Sequence, residues 1–213
     1  MKDIAIYGFG GFGREVACLI DHINRKEPTW NIIGFFDDGV EVGTECKYGK
    51  VLGNIDTLNQ WMSPLAVVIA IGSSAIIEKL AEAVTNPMVE FPNLIAPNVF
   101  FFDEANVKLG KGNIITFGCR ISCNVELGNF NVLNGCVSLG HDVTIGSYNV
   151  MFPDVRVSGQ AVIGDKCFFG ARTFVAQGLK IKDDSRLGAG AVVLRNPKPG
   201  FLYLGNPAKK IEI

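Results

Sequence analysis

From Leu109 to Val193, every sixth residue is large and apolar: Leu109, Ile115, Ile121, Leu127, Leu133, Leu139, Ile145, Met151, Val157, Ile163, Phe169, Val175, Ile181, Leu187 and Val193. With 48% of the chain hydrophobic, chance gives such a run with odds on the order of one in ten thousand or less, so a structural repeat is the better explanation. The residue after each apolar one is often glycine, as at Gly110, Gly128, Gly140, Gly146, Gly164, Gly170 and Gly188. The residue four after is mostly small or narrow, as at Cys119, Val125, Val137, Val143, Val155, Ala161, Cys167, Thr173, Ser185 and Ala191. This is the hexapeptide pattern of a parallel β-helix, in which each hexapeptide forms one short strand and its turn. Three hexapeptides close one triangular coil, with a large and a narrow side chain pointing inward. Turn positions favour Gly and Asn because some need positive φ. Coils stack about 4.8 Å apart, so five coils make a prism roughly 24 Å tall. The repeat does not give the handedness, since ordinary crossovers are right-handed. Ile95 and Phe101 keep the six-residue spacing in a shifted frame and predict an irregular first coil. Asn196-Pro197-Lys198-Pro199-Gly200 stops the helix, and Tyr203 to Lys210 is expected to cap its open end.

The first ninety residues follow another rhythm. Ile4-Ala5-Ile6-Tyr7, Ile32-Ile33-Gly34-Phe35-Phe36 and Ala66-Val67-Val68-Ile69-Ala70-Ile71 read as strands. Helical stretches follow the first and the third, from Arg14 to about Asn24 and from Gly72-Ser73-Ser74 to about Ala83. Alternating strands and helices predict a small parallel sheet. The expected division is a Rossmann-like domain over 1–90 and a β-helix with its cap over 91–213. Gly8, Gly10 and Gly13 match G-x-G-x-x-G between a strand and a helix, and Asp37 lies 24 residues beyond Gly13. Such glycines let a backbone approach a phosphate at a helix N-terminus. They equally allow tight strand-to-helix packing, and Asp37-Asp38 reads as well as a solvated loop as it does as a ligand contact. The domain is half a dinucleotide fold, with room for one nucleotide rather than NAD.

A net charge of −1 with 19% charged residues gives no basic block for nucleic acid or an anionic membrane. No apolar run approaches a membrane span, and Met1-Lys2-Asp3-Ile4 has no signal-peptide pattern. The expected location is the cytoplasm. Cys18, Cys46, Cys119, Cys123, Cys136 and Cys167 contain no C-x-x-C pair, and His22 and His141 are the only histidines. They are therefore read as reduced thiols, mostly small core residues, and no metal site is expected.

Four segments carry a resemblance. They are Ile6-Tyr7-Gly8-Phe9-Gly10-Gly11-Phe12-Gly13-Arg14-Glu15-Val16, Gly34-Phe35-Phe36-Asp37-Asp38, Gly140-His141-Asp142-Val143-Thr144-Ile145-Gly146 and Gly205-Asn206-Pro207-Ala208-Lys209. In this order they resemble the bacterial hexapeptide-repeat sugar acyltransferases, the family of sialic acid O-acetyltransferase and UDP-4-amino-sugar N-acetyltransferase. The resemblance implies a left-handed β-helix and acetyl-CoA as acyl donor. It implies an acceptor, a sugar or nucleotide-sugar, held by the N-terminal domain at Gly10, Gly11, Phe12, Asp37, Asp38 and Gly72. It makes His141 the base and Asp142 its neighbouring acid. It places main-chain contacts to the donor at Gly159, Ala171 and Ala189, in grooves between subunits of a homotrimer. Where the family often has histidine, this chain has Phe12, Val150 and Ala96, which leaves open the acceptor and the acyl group.

His141 falls two residues after inward Leu139, on the turn rather than in the core. An imidazole there suits removal of a proton from an attacking amine or hydroxyl, since its ordinary pKa lies near 6.5. Gly159 is the candidate oxyanion donor. Arg172, Lys209 and Lys210 are candidates for the donor's phosphates by position, with solvated surface charge the plainer reading, and Cys136 reads as a turn or buried thiol. A β-helix zinc hydratase needs three histidines, and an oxidoreductase needs a second nucleotide half. The remaining alternatives are a non-catalytic relative that binds nucleotide-sugar and an acyltransferase for a non-sugar acceptor.

Overall fold

The structure, a computed structural model, describes residues 1–211. It divides into two compact units that meet in sequence at Pro97 and Asn98.

The first unit contains β1 (Lys2–Tyr7), α1 (Gly11–Lys26), β2 (Trp30–Phe36), β3 (Glu45–Cys46), β4 (Gly49–Gly53), α2 (Ile55–Asn59), β5 (Leu65–Ile69), α3 (Ser74–Ala83) and β6 (Val89–Glu90). Its sheet runs β3-β4-β2-β1-β5-β6 and is parallel except for the β3–β4 hairpin. Ile4, Ala5, Ile6 and Tyr7 of β1 and every residue of β5 are buried. That is why both read as unbroken apolar runs rather than alternating ones. Helix α1 turns Gly13, Val16, Ala17, Leu19 and Ile20 inward, the spacing of one helical face. The Val16, Leu19 and Ile20 side chains each contribute about 1.5–3 kcal/mol on burial. The chain steps from β1 to β2 on one side and later to β5 on the other. This creates a switch point at the C-terminal edge of the sheet, where α/β sheets bind ligands.

The second unit is the prism. One face runs Phe100–Phe101, Arg120–Ile121, Ser138–Leu139, Arg156–Val157, Phe174–Val175, Val192–Val193. From Arg120 onward the ladder partner lies 18 positions on, as for Arg120 and Ser138, whereas the irregular first coil pairs Phe100 with Arg120, 20 positions on. The other two faces repeat this register, as for Leu127 with Ile145 and Leu133 with Met151. The apolar frame faces inward throughout: from Ile115 to Val193 every member is buried, and Leu109 at its start is half-buried. The fold is mainly β, a left-handed parallel β-helix preceded in sequence by a small α/β unit; the two sequence rhythms predict the two architectures, and the resemblance implies the hand.

The turns divide their labour in a way the glycines alone do not reveal. The third residue after each inward apolar one has φ between 53° and 72°, from Gly112 through Gly190 in steps of six. Most of these are not glycine but Asn124, Phe130, Cys136, Asp142, Tyr148, Asp154, Gln160, Lys166, Arg172 and Asp184. The glycines directly after the inward residue answer a different demand, the close approach of the next coil. A Cβ on Gly128 would lie 2.6 Å from the carbonyl oxygen of Gly146.

The narrow inward row contains a feature hidden in the sequence. Asn113, Asn131 and Asn149 occupy it one coil apart and are 0% exposed. Asn113 Oδ1 accepts from the N–H and Nδ2 of Asn131 at 2.9 and 3.0 Å, and Asn131 Oδ1 accepts from those of Asn149 at 2.9 and 2.9 Å. Cys167 N–H closes the ladder on Asn149 Oδ1 at 2.8 Å. Buried amides cost stability unless paired, and among the described residues no buried side-chain N or O lacks a partner. At the C-terminal end Leu202–Leu204 pairs parallel with Arg186–Leu187 and folds back antiparallel on Lys209–Ile211. This hairpin supplies the carbonyls of Tyr203 and Gly205 to the N–H groups of Gly188 and Val192.

Candidate active site

Three corner columns run up the prism, each built from the residues two and three places after an inward one. The first carries Cys123, His141, Gly159, Gln177 and Arg195, with Asn124, Asp142, Gln160, Gly178 and Asn196 beside them. Backbone bonds stack it: Asp142 N–H donates to Cys123 C=O at 3.0 Å, Gln160 to His141 at 2.8 Å and Gly178 to Gly159 at 3.0 Å.

His141 Nδ1 lies 2.7 Å from Asp142 Oδ2, and the two side chains are 48% and 46% exposed. A carboxylate only accepts, so Nδ1 carries the proton and Nε2 keeps the lone pair. Asp142 Oδ1 accepts from Asn124 Nδ2 at 2.9 Å. Hydrogen bonds from His141 first and Asn124 second hold the Asp142 carboxyl below the usual carboxylate range. The opposite side of the imidazole rests against Gly159, where a Cβ would lie 2.6 Å from Nε2 and 2.7 Å from Cε1. Gly159 is buried, yet among the described residues its N–H meets no acceptor. A buried backbone donor is nearly always satisfied, which sets this amide apart.

The free amide is not general to the fold. On the third column a short polar side chain closes each turn amide of the coil before. Asn129 Oδ1 takes Lys111 N–H at 3.0 Å, Ser147 Oγ takes Asn129 N–H at 3.0 Å, Asp165 Oδ1 takes Ser147 N–H at 2.6 Å and Asp183 Oδ1 takes Asp165 N–H at 2.9 Å. Ala171 and Ala189 share the second column with Phe117, Gly135 and Pro153 and have no such side chain above them. Among the described residues their N–H groups also meet no acceptor.

In the first unit the glycine motif splits in two. Gly8 has φ +116° and a Cβ there would lie 2.8 Å from Ala70 C=O, while one on Gly13 would overlap the Gly8 carbonyl. Those two glycines serve packing. Gly10 and Gly72 have nothing within 4 Å of a Cβ, and Gly11 has only the tip of Arg14 at 3.9 Å. Neither α1 nor α3 carries a side-chain cap, whereas Asn54 caps α2 by accepting from Thr57 N–H at 3.1 Å. Among the described residues the N–H groups of Gly11, Phe12 and Gly13 in α1 and of Ser74 and Ala75 in α3 meet no acceptor, whereas Ile76 N–H donates to Ser73 C=O at 3.1 Å. Phe12 is half-buried in the first turn of α1.

Asp37 and Asp38 are engaged within the chain. Asp37 Oδ2 accepts from Phe9 N–H at 2.9 Å and Oδ1 from Gly39 N–H at 2.8 Å, which ties the glycine loop to the end of β2. Asp38 Oδ1 accepts from Tyr7 Oη at 2.8 Å and Ile55 N–H at 3.1 Å. Burial, then this bond, pushes the Tyr7 phenol above its ordinary range.

The remaining candidates are scattered. Arg172 Nε lies 3.8 Å from Asp154 Oδ2 and lines a shallow hollow of about 310 Å³ with Arg156. Lys209 and Lys210 line another of about 490 Å³ with Arg195, Asn196 and Tyr203. Cys136 is an exposed turn residue on the second column, not beside His141. Val150 and Ala96 are buried. Among the described residues no cluster of three or more His, Cys, Asp or Glu could hold a metal, and no helix is long and apolar enough to cross a membrane. The sequence reading missed Asn124, whose signal is its place 18 residues before Asp142.

Comparisons with known proteins fit both units. The family model described as PglD N-terminal domain matches residues 3–84, and that described as hexapeptide repeat of succinyl-transferase matches 160–195. The acetyltransferase domain of PglB from Neisseria gonorrhoeae FA1090, solved with acetyl coenzyme A, is 24% identical over 99% of each chain with a TM-score of 0.88. A histidine-to-asparagine variant of perosamine N-acetyltransferase from Caulobacter crescentus, solved with CoA and GDP-perosamine, is 24% identical over 100% of this chain and 98% of that one, with a TM-score of 0.86. WeeI from Acinetobacter baumannii AYE is 26% identical over 99% and 100% of the two chains, with a TM-score of 0.74. Over 99% or more of its length the chain shares the fold of these proteins, and segments of its two halves match a PglD N-terminal domain and a hexapeptide repeat.

Proposed function

We propose that this chain is an acetyl-CoA-dependent acyltransferase. It moves an acetyl group to an amine or hydroxyl of a sugar or nucleotide-sugar in bacterial surface-glycan biosynthesis. One observation carries the reading: an imidazole held by Asp142 presents a free Nε2 next to the unsatisfied N–H of buried Gly159. A base and an oxyanion donor at one spot are the two groups acyl transfer needs. Similar proteins solved with acetyl coenzyme A, and with CoA and GDP-perosamine, support this choice of donor and acceptor class.

The acceptor's amine or hydroxyl attacks the thioester carbonyl, and His141 Nε2 takes its proton. The carbonyl oxygen, now negative, accepts from Gly159 N–H. The carbon–sulfur bond then breaks, and the proton on His141 goes to the departing thiolate. Asp142 keeps the ring in the tautomer that makes Nε2 the base. The open amides of Gly159, Ala171 and Ala189 suit the carbonyls of the donor's pantetheine arm. Gly10, Gly11, Phe12 and Gly72 suit the acceptor's phosphates at uncapped helix N-termini, with Asp37 and Asp38 shaping the loop. The active assembly is a homotrimer with donor grooves between subunits, since closed cyclic assemblies bury equivalent faces. Six free cysteines suit a reducing compartment, and we place the protein in the cytoplasm.

The test is thiol release from acetyl-CoA with a panel of amino- and hydroxy-sugars and their nucleotide conjugates. His141→Ala should lose at least 100-fold in kcat while keeping its thermal unfolding temperature. Turnover near wild type in that variant overturns the assignment of the base.

A further inference from the structure

We propose that Asn124 is a positioning residue for this acyl transfer, fixing through Asp142 the orientation of His141. The inference rests on the reading of His141 as the base and adds a residue to it. Asp142 lies in a turn, and 46% of its side chain is open to water. The terminal torsion of a carboxylate is broad and roughly two-fold, so a carboxylate held at one oxygen only still swings. Here each oxygen has its own donor: Oδ2 has His141 Nδ1 at 2.7 Å and Oδ1 has Asn124 Nδ2 at 2.9 Å. Asn124 stands one coil before Asp142 on the same column, and the 3.0 Å backbone bond from Asp142 N–H to Cys123 C=O ties the two turns together. The amide therefore sets the carboxylate plane, the carboxylate sets the imidazole, and Nε2 is held against Gly159.

A plain turn role also accounts for an asparagine here, because its φ is +55° and Asn tolerates the left-handed region. The two roles separate cleanly. Glycine adopts that φ without strain, so Asn124→Gly keeps the turn and deletes only the amide. Asn124→Asp keeps the side-chain shape and cannot donate. Both variants should unfold within about 2 °C of wild type, keep the KM for acetyl-CoA within about twofold and lose about tenfold in kcat. In an Asp142→Asn background, Asn124→Gly should cost less than about twofold more, because the group it acts through has been altered. A kcat for Asn124→Gly within twofold of wild type, or a full tenfold loss persisting beside Asp142→Asn, overturns the inference. His141→Ala separates the layers. Full activity there removes the base assignment, whereas inactivity there with an active Asn124→Gly removes the role of Asn124 alone.

Discussion

Gly159→Ala tests whether the space beside the imidazole matters. The added Cβ would lie 2.6 Å from Nε2, 2.7 Å from Cε1 and 2.9 Å from Cδ2 of His141, where ordinary contact begins at 3.4 Å. The ring must therefore retreat by about 1 Å, and a misplacement of that size costs on the order of 100-fold in rate. The backbone pays little, since Gly159 does not use a left-handed φ. The colliding group is the exposed end of a side chain that can swing outward. A surface-type cost within about 0.5 kcal/mol keeps the unfolding midpoint within about 2 °C for a chain of this size.

The assay is steady-state thiol release with saturating acceptor, in a double-mutant cycle with His141→Ala. Displacement of the base predicts a fall of about 100-fold in kcat for Gly159→Ala alone and almost no further loss in the His141→Ala background. Two results would refute the reasoning. One is a kcat above about a third of wild type. The other is an unchanged kcat with a raised KM for acetyl-CoA, which would mean that the methyl obstructs the donor rather than the ring.

Asn131→Ala should destabilise the prism by about 3 kcal/mol and lower its melting temperature by about 6–12 °C, because Asn113, Asn149 and the Gly146 carbonyl all lose a partner; calorimetry checks this. Burial pushes the Cys119 and Cys167 thiols up to about 12, so native alkylation at pH 8 read by mass spectrometry should mark exposed Cys136 and spare those two. The same shift makes stability full below pH 9, the ordinary thiol value, and progressively lost as pH rises from there towards 12, because only the unfolded chain ionises; urea midpoints at pH 8 and pH 10.5 check the sign. Asp37→Asn should raise the KM for a nucleotide-sugar acceptor several-fold while leaving kcat and the KM for acetyl-CoA unchanged, because it weakens the tie from Phe9 N–H to the end of β2.

The prism was legible because its inward row must repeat every six residues, and a core position cannot disguise itself. Asn113, Asn131 and Asn149 were not legible: asparagine reads as a turn residue, and its burial depends on partners 18 residues away. The glycines after the inward residues were visible but gave the wrong reason for the turns. The positive φ falls two places later, on residues such as Phe130, Tyr148 and Arg172, whose types give no hint of it. In the first unit β4 and α2 escaped notice. Gly49–Gly53 begins and ends in glycine, and Ile55–Asn59 is too short for a period. His141 and Asp142 could be picked out as a pair; their third partner lies one 18-residue coil earlier, a spacing the repeat gives without showing which turn side chains reach across it.

The same coil arithmetic separates the open corners of a repetitive solid from the sealed one. All three columns share one backbone, with a turn amide pointing outward in every coil. They differ in the side chain two places after the inward residue. Where that residue is Asn, Ser or Asp, its oxygen reaches back to the coil before and closes the amide, as Asn129, Ser147, Asp165 and Asp183 do. Where it is Gly, Ala or Gln, nothing reaches back, and the amides of Gly159, Ala171 and Ala189 keep their hydrogens. Sealing is thus the default available to any short polar residue, and the open columns are those from which such residues are missing. On the proposed reading, a carbonyl of the donor bonds to such an open amide on binding. Ala189→Ser should close Ala171 N–H, which lies one coil before it. The expected result is a weaker hold on acetyl-CoA with a slightly more stable fold. Tighter binding with lower stability would mean that the open columns have nothing to do with the donor.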